Sequence, residues 1–449
     1  MSSTPVVHPL PGTARLRVAV PVAVASFFYT NILEYALPLY FDALRIDNGM
    51  WSELVKYKLT AWIAGSALAG LLSRRYGERW VWSFALLGKL IVMLGLIYYP
   101  SPRVIILLSA WQGLTGALMW IAAVSLIQMV PDNRKGFSNA LVMVSLGVGA
   151  IFGALIGRFI IYLGELKPLL SQSDYGGVCS RLFNFTRLTS TPQKEDFLLI
   201  FWLLMLTTVV SSVAIALAGQ RSGRFERDEP PDWSQTLQDV SRLIHNPKFW
   251  ALAIPLALLG GPVFQGSNQF LPYRAEDLGL KQGSADQGWI WLQLLKTVMW
   301  IPGGAAVGLL AGRRAPGWVA VIMLGSFSLT LLGIGLSSFT WQIFLCVAGF
   351  EFARQFMRWS HAGYMSDHMP NHLRATAIGC TIMFSGLGSA VYSWVADGLW
   401  DPDAPGFDSS EPVMAAAALG LAGSLGLFAY DLVRPIAAQN ISPQKDGVP

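Results

Sequence analysis

Charge is what this chain has least of. Only 13% of its 449 residues are Asp, Glu, Lys or Arg, where a soluble globular protein carries about a quarter. Hydrophobic residues make up 53%, more apolar surface than a soluble core of this length buries. A soluble enzyme, a nucleic-acid-binding module and a disordered tail protein are thereby excluded as primary readings. Cysteine is scarce as well: Cys179, Cys346 and Cys380 are too few and too scattered for a disulfide framework or a zinc site. His361, Asp367, His368 and His372 lie close in sequence, but their spacing matches no metal motif, so no metal is expected. No Gly-rich phosphate loop followed by Lys and Ser/Thr appears, which argues against an ATP-driven machine and leaves no cofactor implied. A net charge of +5 suits nucleic acid, but basic cytoplasmic loops of a membrane protein give the same excess.

What the chain has instead is long apolar runs. A transmembrane helix needs roughly 20 mostly apolar residues. Runs of that kind fall at about 18–41, 55–73, 80–99, 104–130, 137–163, 197–218, 249–272, 288–311, 317–336, 340–362, 374–396 and 411–433. The first is too long for a signal-peptide core, so it reads as an uncleaved helix. With the N-terminus placed inside, seventeen Lys and Arg fall on the cytoplasmic side and ten on the other. The short connections after the second, fourth and eighth spans each carry a basic pair or more, Arg74, Arg75 and Arg79 among them. Both termini are therefore expected in the cytoplasm of a multi-pass protein, in the inner membrane if the chain is bacterial. Residues 219–248 join the sixth and seventh spans. There Trp233, Leu237, Val240 and Ile244 recur at helical spacing, predicting a short amphipathic helix on the inner membrane face. The sequon Asn184-Phe185-Thr186 lies in the long 164–196 outer loop.

The two halves repeat each other. Gly70-Leu71-Leu72-Ser73 and the pair Arg74-Arg75 recur as Gly308-Leu309-Leu310-Ala311 and Arg313-Arg314. A shift of 238 places Lys58 on Lys296, Trp62 on Trp300 and Gly65 on Gly303; a shift of 239 places Trp120 on Trp359, and Gly147 and Gly149 on Gly386 and Gly388. Leu37-Pro38 returns as Leu271-Pro272. A register held through so many spans indicates internal duplication. It predicts two six-helix halves, 1–218 and 249–449, joined by the linker 219–248. Their axis would run along the membrane normal, with a cavity between them at the midplane.

These residues resemble the major facilitator superfamily of secondary transporters, and the resemblance covers essentially the whole chain. The family's loop signature after the second span is matched by Gly70-Leu71-Leu72-Ser73-Arg74-Arg75-Tyr76-Gly77-Glu78-Arg79. Gly70, Arg75, Gly77 and Arg79 fit it; Arg74 stands where the family usually has Asp. By this resemblance the loop is a gating element. In the fifth span Ser145, Gly149, Ala150, Gly153 and Ala154 occupy the family's antiporter pattern without its proline, an argument against drug antiport. Gly149, Gly153 and Gly157 still repeat small residues every fourth position, suited to close helix packing.

Ionisable residues inside spans cost about 2.5–3.5 kcal/mol each on insertion scales and mark function by default. Glu34 sits in the first span beside Asn31 and Tyr35, and Glu351 near the middle of the tenth, one turn before Arg354. Glu34 and Glu351 are the candidate proton-coupling acids, since a carboxyl moved between dry and wet surroundings can take up and release a proton. A structural Glu351–Arg354 ion pair is the competing reading. Aligning the copies sets Glu34 on Asn268 and Glu351 on Gln112. Asn31, Tyr35, Gln112, Asn268, Gln269, Lys296 and Arg354 are the candidate substrate-binding groups; Gln265, Ser267, Asn268 and Gln269 gather polar groups before Pro272. Lys89 and Arg158 read as packing or snorkelling residues. The expected activity is alternating-access transport of a small polar or anionic organic solute by a monomer in proton symport, rather than enzyme catalysis. A proton-driven efflux antiporter is the nearest rival, and a sensor or membrane-embedded enzyme on the same scaffold a rival of another class.

Overall fold

A computed structural model describes residues 49–128, 147–153, 197–220, 233–280, 287–311, 316–368, 374–400 and 406–433, and single positions or short pieces of 24–44 and 141–156. Glu34, Asn31, Tyr35, Arg158, His372 and the Asn184 sequon lie outside the described residues. The described chain is helical: α1 Gly49–Tyr76, α2 Glu78–Tyr98, α3 Pro102–Gln128, α4 Leu198–Gln220, α5 Trp233–Ile244, α6 Pro247–Asp277, α7 Gln287–Val298, α8 Trp300–Ala311, α9 Pro316–Leu336, α10 Thr340–His368, α11 Arg374–Leu399 and α12 Ser410–Val433. Among the described residues, four helices are long and apolar enough to cross a membrane: Glu78–Tyr98, Pro102–Ser125, Leu198–Leu217 and Thr376–Ala396. The chain is thus an all-α, multi-pass membrane protein.

Local chemistry sets the helix ends. Gly77, at φ 87°, turns the chain between α1 and α2 in a conformation that side-chain-bearing residues avoid. Pro102, Pro247 and Pro316 each open a helix, where a missing N–H costs nothing. At the start of α10 the Gln342 side chain accepts the N–H groups of Ser338 and Phe339 at 2.8 and 3.1 Å.

The eighth span, predicted as one run over 288–311, is two helices. Pro302 has no N–H to close on the Val298 carbonyl, and the helix stops at Val298 and restarts at Trp300. Hydrogen bonds from Met299 N to Leu295 O (3.1 Å) and from Gly303 N to Met299 O (3.2 Å) carry the backbone across the break.

Two large buried clusters hold the molecule. One draws on Tyr29, Leu33, Val92, Leu108 and Phe201, all from the first half. The other draws on Phe270, Phe327, Leu331, Phe350 and Val413, all from the second. Close helix approaches repeat between the halves. Gly149 lies against the backbone of Val24, and Gly388 against the backbone of Ala257. The halves meet through a second repeated pair. A Cβ on Gly147 would stand 3.1 Å from Ile301 Cγ1, and one on Gly386 would stand 2.7 Å from Ile63 Cγ1. Ile63 and Ile301 are themselves counterparts at the 238 shift. Both seams are therefore lined by glycine on one side, which lets backbones approach closely.

Candidate functional site

Mid-span charge converges at the break in the eighth span. Glu351 on α10 is 1% exposed. Arg354, three residues on and thus on the same helix face, donates from Nη1 to both carboxylate oxygens at 3.0 and 3.1 Å. Trp300, the first residue of α8, donates its indole N–H to Glu351 Oε2 at 2.9 Å. The same indole ring lies 5.8 Å below the Arg354 guanidinium, within cation–π range. Arg354 and Trp300 both offer it N–H donors, which suit an ionised, acceptor-only carboxylate. The Glu351–Arg354 pair, the competing reading of these two residues, is present, and Trp300 completes it. The cluster borders a seam between the halves, since a Cβ on Gly147 would lie 3.1 Å from Trp300 Cβ.

Gln355 completes this face of α10 and was not foreseen. Its side chain is fully buried, and among the described residues neither its amide nitrogen nor its amide oxygen has a hydrogen-bond partner. It packs against Gly303, where a Cβ would meet Gln355 Cγ at 2.9 Å. A buried amide left without partners costs about 1–3 kcal/mol. The available signal was duplication: Gln355 stands where the first half has Gly116.

The other candidates are dispersed. Gln112 is buried on α3. Gln269 accepts a hydrogen bond from Ser393 Oγ at 3.2 Å, so it bridges α6 to α11. Lys296 is half-buried on α7, one turn before the break, and Asn268 is placed by its backbone on α6. In the loop signature, Gly70 packs beside Gly379 of α11, whose Cβ would stand 3.3 Å from Gly70 Cα and 2.6 Å from Ser66 O. The Arg75 guanidinium lies 5.2 Å from the Trp233 ring and ties the loop to α5, while that of Arg79 lies 5.0 Å from Trp80. Arg74 closes α1 by its backbone. Glu78, buried at the start of α2, accepts from Ser125 Oγ at 3.2 Å and so links the loop to α3.

Of the two readings of Lys89, packing is the one that fits: it is 2% exposed, with Nζ 4.3 Å from the Tyr29 ring centre. Among the described residues no group of His, Cys, Asp and Glu could hold a metal ion.

A duplicated all-helical membrane protein with ionised groups buried at its inter-half seam has the makings of a secondary transporter. The comparisons place it. Residues 19–393 match the family model of the Major Facilitator Superfamily, and the chain belongs to that family of transport proteins rather than to an enzyme family. No curated protein sequence matches it. Among solved structures it is similar to the fucose:proton symporter FucP of E. coli, with a TM-score of 0.67 at 12% identity over 92% of this chain and 97% of that one. It is also similar to the human organic anion transporter MFSD10, with a TM-score of 0.64 at 13% identity, covering 93% and 99% of the two chains. The proton:xylose symporter XylE follows at 0.60 and 13%, covering 93% and 95%. At these identities the likeness is one of fold.

Proposed function

We propose that this chain is a secondary active transporter built as two six-helix halves, 1–218 and 249–449, around the linker 219–248. It works as a monomer with both termini in the cytoplasm and moves a small polar or anionic organic solute by alternating access in symport with protons. Glu351 is the coupling acid in the second half and Glu34 its partner in the first. Arg354, Lys296, Gln112, Asn31, Tyr35, Asn268 and Gln269 supply the substrate contacts. The loop of Gly70, Arg74, Arg75, Gly77 and Arg79 gates the inner side.

One observation carries the reading: a carboxylate 1% exposed at mid-span, charge-balanced by Arg354, beside the seam that rocking must disturb. A buried ion pair is weak support for stability, because desolvation offsets most of the attraction. Its retention at the seam is better explained by a charge that must appear and disappear during the cycle. The names of the similar transporters (a fucose and a xylose symporter, an organic anion transporter) support a polar or anionic cargo. Uptake into proteoliposomes under an imposed pH gradient, screened over sugars, nucleosides and organic acids, tests the proposal. Glu351→Gln is expected to abolish the gradient response of the solute that wild type takes up. Unchanged gradient dependence removes Glu351 from the mechanism, and transport against the proton flow reassigns the chain as an efflux antiporter.

A further inference from the structure

Trp300 occupies three features at once. It is the first residue after the break in the eighth span, next to Pro302. Its indole N–H is bonded to Glu351. Its Cβ lies against Gly147 of the fifth span, in the other half of the molecule. A side chain held at a helix break is easier to redirect than one inside a continuous helix, because the break already lacks a backbone hydrogen bond.

We propose that Trp300 is a positioning residue that couples the motion of the halves to the protonation of Glu351; this rests on the reading of Glu351 as the coupling acid. With the seam as it stands, the indole N–H keeps Oε2 occupied as an acceptor. When the fifth span moves away from the eighth, Trp300 swings at the break and its bond to Oε2 is lost. A proton from the water of the open side then binds Oε2, forming one O–H bond and leaving the carboxyl neutral beside a still-charged Arg354. The neutral carboxyl is a weaker acceptor than the carboxylate, so the indole N–H bonds the ionised form better than the protonated one. Closing the seam over Trp300 therefore favours loss of the proton, and proton release is coupled to seam closure.

Among the described residues, ionisable groups stand on several of the elements around Glu351. On its own helix the partner is Arg354. Of the elements packed against α10, α8 and α9 carry no ionisable side chain. The seventh helix brings Lys296, and α11 brings Cys380 and Tyr392 between Arg374 and Asp397 at its two ends. The third helix has Arg103 in its first turn, and α6 has Lys248 at one end and Tyr273, Arg274, Glu276 and Asp277 at the other. Trp300 is thus the neutral donor through which the seam reaches the carboxylate.

The test uses the full-length protein in liposomes and needs no substrate. Infrared difference spectra over a pH titration read the protonated carboxyl C=O band, and Glu351→Gln assigns it. Trp300→Phe keeps an aromatic ring but loses the N–H, so the Glu351 band is expected to titrate about one pH unit higher. Gly147→Ala keeps the indole and presses on Trp300 from the other half; a shift in the same direction but smaller is expected. A Trp300→Phe protein that folds, by circular dichroism and gel filtration, and titrates like wild type overturns the proposal. If Trp300→Phe does not fold, an unshifted Gly147→Ala titration overturns it. If no band disappears in Glu351→Gln, the failure belongs to the coupling-acid reading itself.

Discussion

The helix α1 and the pair α7–α8 stand at repeat-related positions of the sequence and differ in the middle. In the first half, α1 runs unbroken from Gly49 to Tyr76, with Ala64 where the second half has Pro302. Trp62 lays its ring edge on α3, where a Cβ on Gly116 would meet it at 3.0 Å. Its counterpart Trp300 faces α10, where Gln355 fills the place of Gly116, and reaches Glu351 where the first half has Gln112. One copy is a packed, neutral, continuous support. The other is interrupted and faces a carboxylate, though both touch the opposite half. Duplication supplied two equal frames, and chemistry was concentrated in one of them.

Removing the charge on each side separates the two frames most sharply. Glu351→Ala strands a buried Arg354 and is expected to cost about 3–5 kcal/mol, while Gln112→Ala costs about 1 kcal/mol for the lost amide. Thermal unfolding in detergent measures both, and equal losses would end the idea that the halves differ in kind. Next in size is the break. Pro302→Ala makes the eighth span resemble α1; the melting temperature is expected to rise by several degrees while gradient-driven uptake falls about tenfold. Uptake that survives a repaired helix would show the break to be incidental.

The smallest effect concerns the outer ends, where the copies differ again. At the Leu-Pro shift of 234, Tyr40 and Arg274 are counterparts. Tyr40 donates to Leu96 O at 2.7 Å and packs edge-on to Phe201. Arg274 instead donates to Ser337 O and lies 3.7 Å from Asp277 and 3.9 Å from Asp408. Hydrogen bonds from Ser410, aided by Arg274, hold the Asp408 carboxyl below the usual carboxylate range. A lowered value contributes stability above the ordinary carboxylate pKa and loses it as pH falls through the lowered one. Because Asp408 is exposed, the contribution is small. Asp408→Asn is expected to lower the melting temperature slightly at neutral pH, leave the acid end unchanged and so flatten the acid limb of the curve.

The fold was legible because apolar length and a constant repeat offset survive any rearrangement of side chains. Glu351 and Arg354 were legible for a related reason: a charge in an apolar run stands out without coordinates. Trp300 was not, since seventeen tryptophans make interfacial anchoring the ordinary explanation and nothing local marks which one turns inward. Pro302 signalled the break, but a lone proline in a span is tolerated often enough to be passed over. For Lys89, depth chooses packing over snorkelling. It stands about nine residues, or about 13 Å of helix, from either end of its span, too far for a lysine stem to reach water. Gln355 was silent because a neutral amide in a span looks like a helix-bridging group until its partners are counted.

The glycine-lined seams carry a consequence for how fast this protein can cycle. The two dense interiors share no residues, so tilting one half leaves the packing of each undisturbed. What must be broken and remade are the crossings where Gly147 meets Trp300 and Ile301 and where Gly379 and Gly386 of α11 meet α1. A methyl group added at one of these glycines presses on the helix of the opposite half and is expected to slow turnover.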